Sequence, residues 1–285
     1  MHRPFVRIAV LFLTILSFPP AFSRGARGDY VGATNVSNRP ASASAAVATV
    51  SAASFAAGPL ARDVIAAAFG ANLATSTVAS PGLIPLPEEL ADTRVRLRDS
   101  AGVERSAGLF FVSPGQINFV IPSEIANGAV TLSVVRGGNV VDQGAIQIEN
   151  VAPGLFTANA NGQGVVAAVV LRVKADGTQV FEPVIVFDQA RNQFVAAPID
   201  LGPEGEQVFL ILFGTGWRYR SSLSATTMTI GGVNAEVLYA GQQGRFVGLD
   251  QANVRIPRSL AGRGEVDVAL TVDGRAANTA RINIR

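Results

Sequence analysis

The sequence predicts an all-β protein: two tandem immunoglobulin-like β-sandwiches that follow a signal peptide and a disordered linker. Three observations carry that expectation. The stretch Phe111-Val-Ser-Pro-Gly-Gln-Ile-Asn-Phe-Val-Ile-Pro122 returns, altered, as Phe246-Val-Gly-Leu-Asp-Gln-Ala-Asn-Val-Arg-Ile-Pro257. Gln116, Asn118 and Pro122 are matched by Gln251, Asn253 and Pro257 at a constant spacing of 135, so one module occurs twice. Within each copy the apolar residues alternate: Ile117, Phe119 and Ile121 share one strand face, as do Ala252, Val254 and Ile256. Finally, the 285 residues are 48% hydrophobic and 15% charged, with 29 Gly and 15 Pro, which suits short strands joined by turns.

The elements follow in order. Residues 1–23 have the pattern of a secretory signal: His2, Arg3 and Arg7, then the apolar run Ile8–Phe18, the break Pro19-Pro20, and small residues up to a cleavage point after Ser23. The run is too short for a comfortable membrane span, and no later segment reads as one, so a mature chain without a membrane span is expected. Residues 24–47 are rich in Arg, Gly, Ala, Ser and Asn and read as a disordered linker.

The first sandwich is assigned to 48–150. Its strands are expected at 49–55, 64–69, 93–98, 103–112, 116–121, 129–135 and 140–148. A long proline-bearing loop covers 74–92, and Gly137-Gly138 makes a hairpin turn. In Thr93–Arg98, Val95 and Leu97 face in while Arg94, Arg96 and Arg98 face out. The second sandwich is assigned to 151–285. Pro153-Gly154 is its entry turn, and such an extended junction predicts two halves that move relative to each other. Strands are expected at 164–173, 178–181, 208–213, 229–239 (through Gly231-Gly232), 251–256, 265–272 and 276–284, with a hairpin of 184–187 and 194–196 inserted. Val208–Phe213 is apolar throughout, the mark of a strand buried on both faces.

Composition excludes whole classes of chemistry. Cysteine is absent and the only histidine is His2, inside the leader, so the mature chain has no His or Cys. Ser-His-Asp and Cys-His catalysis and the usual zinc sites are therefore unavailable, and no cofactor is expected. With Arg3 and Arg7 taken from the 23 basic residues, basic and acidic residues balance at 21 each, which argues against nucleic acid as a partner. The partner classes left are an extracellular polysaccharide or a cell-surface protein.

Four stretches occur together in order: Val50-Ser-Ala-Ala-Ser-Phe55 with Phe69-Gly-Ala-Asn-Leu73; Phe111–Phe119; Ala152-Pro-Gly-Leu-Phe156; and Phe246–Val254. In these the chain resembles the Solibacter-type uncharacterised C-terminal domain, a family expanded in acidobacteria, over about residues 49–285. Each half also resembles the IPT/TIG group of immunoglobulin-like domains, through Phe69-Gly-Ala-Asn-Leu73. The resemblance implies an extracellular accessory module, secreted or held at the cell surface, with no catalytic residues to carry over. The segment Pro183–Ala197 is longer than that family's layout.

The candidate ligand-binding loop is Trp217-Arg218-Tyr219-Arg220, which holds the only Trp, beside the alternative that Trp217 packs over the sandwich end as Leu73 does. Gln116, Asn118, Gln251 and Asn253 read as paired structural braces, their amides bonding adjacent loops, or as a duplicated polar site. The competing activity is a carboxylate-dependent glycan hydrolase, with Asp188, Asp200, Glu204 and Glu206 as its acids. A calcium site from Asp200, Glu204 and Glu206 lacks the spacing of a calcium loop.

Overall fold

A computed structural model describes residues 46–81 and 84–285. The signal peptide of 1–23 and all but the end of the 24–47 linker lie outside the described residues. Val47 corrects the linker's boundary. It is 4% exposed, packs into the first core, and donates its N–H to Gln143 O and Asp142 Oδ1. An apolar residue with that burial belongs to the fold.

The first half of the described chain gives β1 (Ala48–Ser51), β2 (Leu60–Ala61), β3 (Ile65–Phe69), β4 (Val78–Ala79), β5 (Thr93–Arg98), β6 (Glu104–Ser106), β7 (Gly108–Val112), β8 (Gln116–Val120), β9 (Gly128–Arg136) and β10 (Asn139–Glu149). They form two sheets, ordered β1-β3-β8-β7-β4 and β2-β10-β9-β5-β6. The second half gives β11 (Gly154–Leu155), β12 (Ala168–Val173), β13 (Gln179–Pro183), β14 (Ile185–Asp188), β15 (Gln193–Ala196), β16 (Pro198–Ile199), β17 (Gln207–Thr215), β18 (Thr226–Ile230), β19 (Val233–Ala235), β20 (Val237–Gln242), β21 (Asp250–Arg255), β22 (Gly264–Val272), β23 (Arg275–Ala276) and β24 (Ala280–Ile284). Their sheets are β13-β12-β17-β21-β20 and β16-β24-β22-β18-β19, with β14–β15 as a separate ribbon.

The repeat seen in sequence is a repeat of topology. The order β2-β10-β9-β5-β6 maps one for one onto β16-β24-β22-β18-β19. In both sheets the first strand runs parallel to the second and the rest are antiparallel. Likewise β1-β3-β8-β7 maps onto β12-β17-β21-β20. Each pair of sheets encloses an apolar core. Ala66, Ala68, Ile117 and Phe119 meet Val95, Leu97, Leu132 and Ile148 in the first; Leu210, Leu212 and Val254 meet Ile230, Val268 and Ile282 in the second.

Two expected strands are each split between sheets. Val103–Val112 becomes β6 and β7, changing sheet at buried Ala107. Gly108 begins the new course because Leu86 lies against it: a Cβ there would stand 2.9 Å from Leu86 Cβ. The strand after Gly231-Gly232 divides in the same way at Glu236, into β19 and β20.

The expectation of loosely joined halves is corrected. A third apolar cluster uses the opposite faces of the two central sheets. In β3, Ala66 and Ala68 point into the first core, whereas Ile65 and Ala67 point out of it. In β17, Leu210 and Leu212 point into the second core, whereas Ile211 and Phe213 point out. The outward sets pack on each other with Phe156, Ala167 and Leu249, so the sheets stack in four layers. Thr215, fully buried, ties the seam: its hydroxyl accepts the Ile65 N–H at 3.1 Å and donates to Gly248 O at 2.7 Å. The Pro-Gly junction is extended, but the chain around it is packed: a Cβ on Gly216 would lie 2.1 Å from Ala152 O.

Thr215→Val keeps the shape and removes the hydroxyl, leaving Ile65 N–H and Gly248 O without this partner. Urea unfolding of the whole chain is expected to lose about 1–3 kcal/mol in one transition. Two separate transitions, with only the later residues' transition moved, would mean that the halves melt independently.

Candidate functional site

The Trp217–Arg220 loop leaves β17 where that strand passes from the second core to the seam. Gly214 and Trp217 explain its shape. The indole folds back over the strand, so a Cβ on Gly214 would lie 2.3 Å from Trp217 Cη2. Leu73 stands in the same way to Gly70, where the distance to Leu73 Cδ2 would be 2.7 Å. Trp217 is fully buried in the second core, and its indole N–H reaches Gln251 O at 3.4 Å. The packing alternative therefore describes Trp217.

Arg218 is drawn inward by a carboxylate that sequence reasoning missed. Asp250 has no solvent exposure. Its Oδ2 accepts the N–H of Trp217 at 2.8 Å and of Arg218 at 3.2 Å, and its Oδ1 accepts Arg218 Nε at 2.8 Å. Arg218 also donates to Leu249 O at 3.0 Å. Burial pushes the Asp250 carboxyl up from its ordinary value, while Arg218 and the two backbone donors pull it back. The missed signal was a departure within the repeat: 135 positions earlier the chain has Gly115.

The other half of the protein supplies Arg62 and Asp63. Tyr219 donates its hydroxyl to Asp63 Oδ2 at 2.5 Å, and the Arg62 guanidinium lies 4.4 Å from the centre of the Tyr219 ring. Arg218 Nη1 stands 3.8 Å from the same Asp63 oxygen. Asp63 takes a left-handed backbone, φ 56°, which aims its side chain across the seam. Nothing periodic in the sequence marks that turn. Burial, followed by the bond to Asp63, raises the Tyr219 phenol to about 12. Arg220 runs beside Gly241, and its Nε is buried without a hydrogen-bond partner. Three of the loop's four residues thus hold the halves together or fill the core, and Arg220 is half-buried beside them.

The repeated amides sit on the seam faces of their sheets. Gln116 Nε2 donates to Asn118 Oδ1 at 2.8 Å, and Gln251 Nε2 to Asn253 Oδ1 at 2.7 Å. Within each pair the Gln amide bonds the Asn two residues along its own strand. Gln116 and Asn118 are buried; Gln251 and Asn253 are half-buried. Pro122 and Pro257 each follow a buried isoleucine, Ile121 and Ile256, that stands one residue past the end of β8 and β21.

Three of the four acids are engaged by basic or backbone groups, and Arg172 reaches both Glu206 and the Asp200 carbonyl. Glu206 pairs with Arg172 at 2.8 Å, and the same guanidinium takes Glu182 on two nitrogens. Asp200 pairs with Arg285 at 2.5 Å and accepts Gly202 N–H. Asp188 accepts the N–H groups of Ala190 and Arg191 and pairs with Arg191. Glu204 is exposed in its turn. The carboxyls of Asp188 and Asp200 are held below the usual range, chiefly by backbone donors, Arg191 N–H for the first and Gly202 N–H for the second. A general acid needs the opposite shift. Among the described residues no group of three or more His, Cys, Asp or Glu stands together as a metal site. No helix of the described residues is long and apolar enough to cross a membrane.

Two shallow grooves border the junction. Gln147, Glu149 and Asp273 line one, Ser54, Pro153 and Asn278 the other, and Arg275, ion-paired to Glu149, borders both. No family model matches the chain, and no curated protein matches it.

Two outcomes check this geometry. Because the folded Tyr219 phenol stays protonated above the ordinary tyrosine value of about 10, the latch contributes fully below that pH and is lost as pH rises towards 12. Ultraviolet titration should give one late phenolate step near 12 that Tyr219→Phe removes, and stability should fall across that window in the parent only. Asn118→Ala strands the buried Gln116 amide and should cost about 1–3 kcal/mol, whereas Asn253→Ala, where water can reach the partner, should cost less than about 1 kcal/mol, both read from urea unfolding of the whole chain.

Proposed function

We propose that this protein is a non-catalytic structural or adhesive module that works outside the cytoplasm, secreted or at the cell surface, as a stack of two immunoglobulin-like sandwiches. One observation carries the reading. The residues best suited to recognising a ligand, Trp217, Arg218 and Tyr219, are engaged in core packing and in bonds to Asp250 and Asp63. A loop used in that way stiffens the joint between two sandwiches, which suits a spacer or an adhesive element under load. The sequence resemblance to exported acidobacterial accessory domains and to IPT/TIG domains supports the same placement. So does the apolar leader of residues 1–23.

The reading is tested against polysaccharide recognition and against glycan hydrolysis in one experiment. The mature protein is incubated with a panel of bacterial and plant polysaccharides, and both retention on the matrix and released reducing ends are measured. No release and no retention are expected. Release that Glu206→Gln or Asp200→Asn abolishes would make the protein a hydrolase. Retention lost in Arg220→Ala would make the loop a sugar site.

A further inference from the structure

Two arginines at the joint carry charge that the chain leaves without an acid. Of the other arginines that are buried or half-buried, Arg96, Arg105, Arg172 and Arg218 are each ion-paired, and Arg136 donates to Asn72 O. Arg62 and Arg220 are half-buried as well. Among the described residues neither has a carboxylate at ion-pair distance or an oxygen that accepts from its guanidinium, and in both Nε is buried without a hydrogen-bond partner. Exposed arginines such as Arg98 and Arg263 are bathed by water and need no such partner. A sealed Nε has no water to replace one, so its donor needs an acceptor.

Each guanidinium is held in place without being neutralised. Arg62 lies 4.4 Å from the centre of the Tyr219 ring. Arg220 lies along Gly241: a Cβ there would stand 3.2 Å from Arg220 Nη1 and 3.1 Å from the Tyr239 hydroxyl, which is itself turned onto Gln242 O. Both arginines thus border the turn Trp217–Arg220, which the Arg220 N–H closes onto Trp217 O at 3.1 Å. The nearby acids are already occupied. Asp63 takes Tyr219 and Arg218, Asp250 takes Arg218 and two backbone donors, and Asp273 takes the N–H and hydroxyl of Ser221. Two fixed cations remain, one from each half.

We propose that Arg62 and Arg220 form a binding site for one phosphate group. Phosphate carries about two negative charges at neutral pH and several strong acceptor oxygens, which match two cations and their unmet donors. A carboxylate would balance only one of them. Guanidinium groups suit the task because their planar forks bond phosphate oxygens in pairs. The site uses the one residue of the loop that the structural reading leaves over, and so goes beyond that reading. The chemistry is the same for free phosphate and for the phosphate of a lipid headgroup.

Inorganic phosphate is titrated into the whole protein at low salt and followed by calorimetry. One phosphate per chain is expected, with an affinity that falls as salt is raised. Arg62→Gln and Arg220→Gln should each weaken binding at least about tenfold, as expected when a charge-assisted bond is lost. Arg263→Gln removes the same charge at an exposed position and should leave the affinity unchanged. Arg62→Lys keeps the charge beside Tyr219 but lacks the fork, so its affinity should fall between the parent and Arg62→Gln; it tests the site even where Arg62→Gln loosens the joint. No binding, two phosphates per chain, or an equal loss in Arg263→Gln would overturn the proposal. Phosphatidylcholine vesicles with and without phosphatidic acid separate the sources. Co-sedimentation that needs the acidic lipid and both arginines makes the ligand a headgroup; phosphate binding without co-sedimentation makes it a soluble phosphate.

Discussion

The central strands β3 and β17 are apolar on both faces, and the rest of the structure follows from that. A sheet with one wet face needs one partner; β3 and β17 have none of their central side chains left for water. Ile65 and Ala67 on one sheet, and Ile211 and Phe213 on the other, would otherwise expose a contiguous apolar patch of the kind soluble proteins cover. Stacking the sheets removes it. The alanine run of β3 makes this possible, because Ala66, Ala67 and Ala68 let sheets on both sides approach closely.

An apolar seam is adhesive but does not choose a register, and the polar groups at its edge supply that choice. Thr215 meets one N–H and one carbonyl from different segments. Asp250, unable to reach water, is held by Arg218 and two backbone donors, and Arg218 extends towards Asp63 of the other half. A buried ion pair is weak evidence for net stability, since desolvation offsets much of the attraction. Its directional bonds nevertheless penalise any slip, because a shift by one residue would leave a charge buried and unpaired.

The legible parts of this fold were those governed by local periodicity. Thr93–Arg98 alternates because one face is wet, and it forms β5 over the expected residues. Gly137-Gly138 and Gly231-Gly232 adopt the positive φ values that their hairpins require. The repeat of Gln116 and Asn118 at Gln251 and Asn253 gave the correct strand equivalence between the halves. The stacking was less legible. Alternation along β3 cannot reveal a second apolar layer when alanine, equally at home in loops and cores, occupies three of its five positions. Asp63 and Asp250 look like ordinary turn acids, and only the fold brings them to Arg218 and Tyr219.

A duplicated fold also permits comparison of each position with its twin, and the differences between twins cluster. Gly115 corresponds to Asp250, Leu73 to Trp217, and the long loop 74–92 to the short loop 218–225. All three lie at the same end of the central sheets. In the first half that end is finished by its own chain, with Val78 paired to Val112 of β7. In the second half the corresponding chain is tied to the seam through Arg218 and Tyr219, and among the described residues no strand pairs with the outer side of β20. The same short loop reaches Asp63 through Tyr219 and lies against Gly241 of β20 through Arg220, so one divergence between the twins shapes both the joint and this edge.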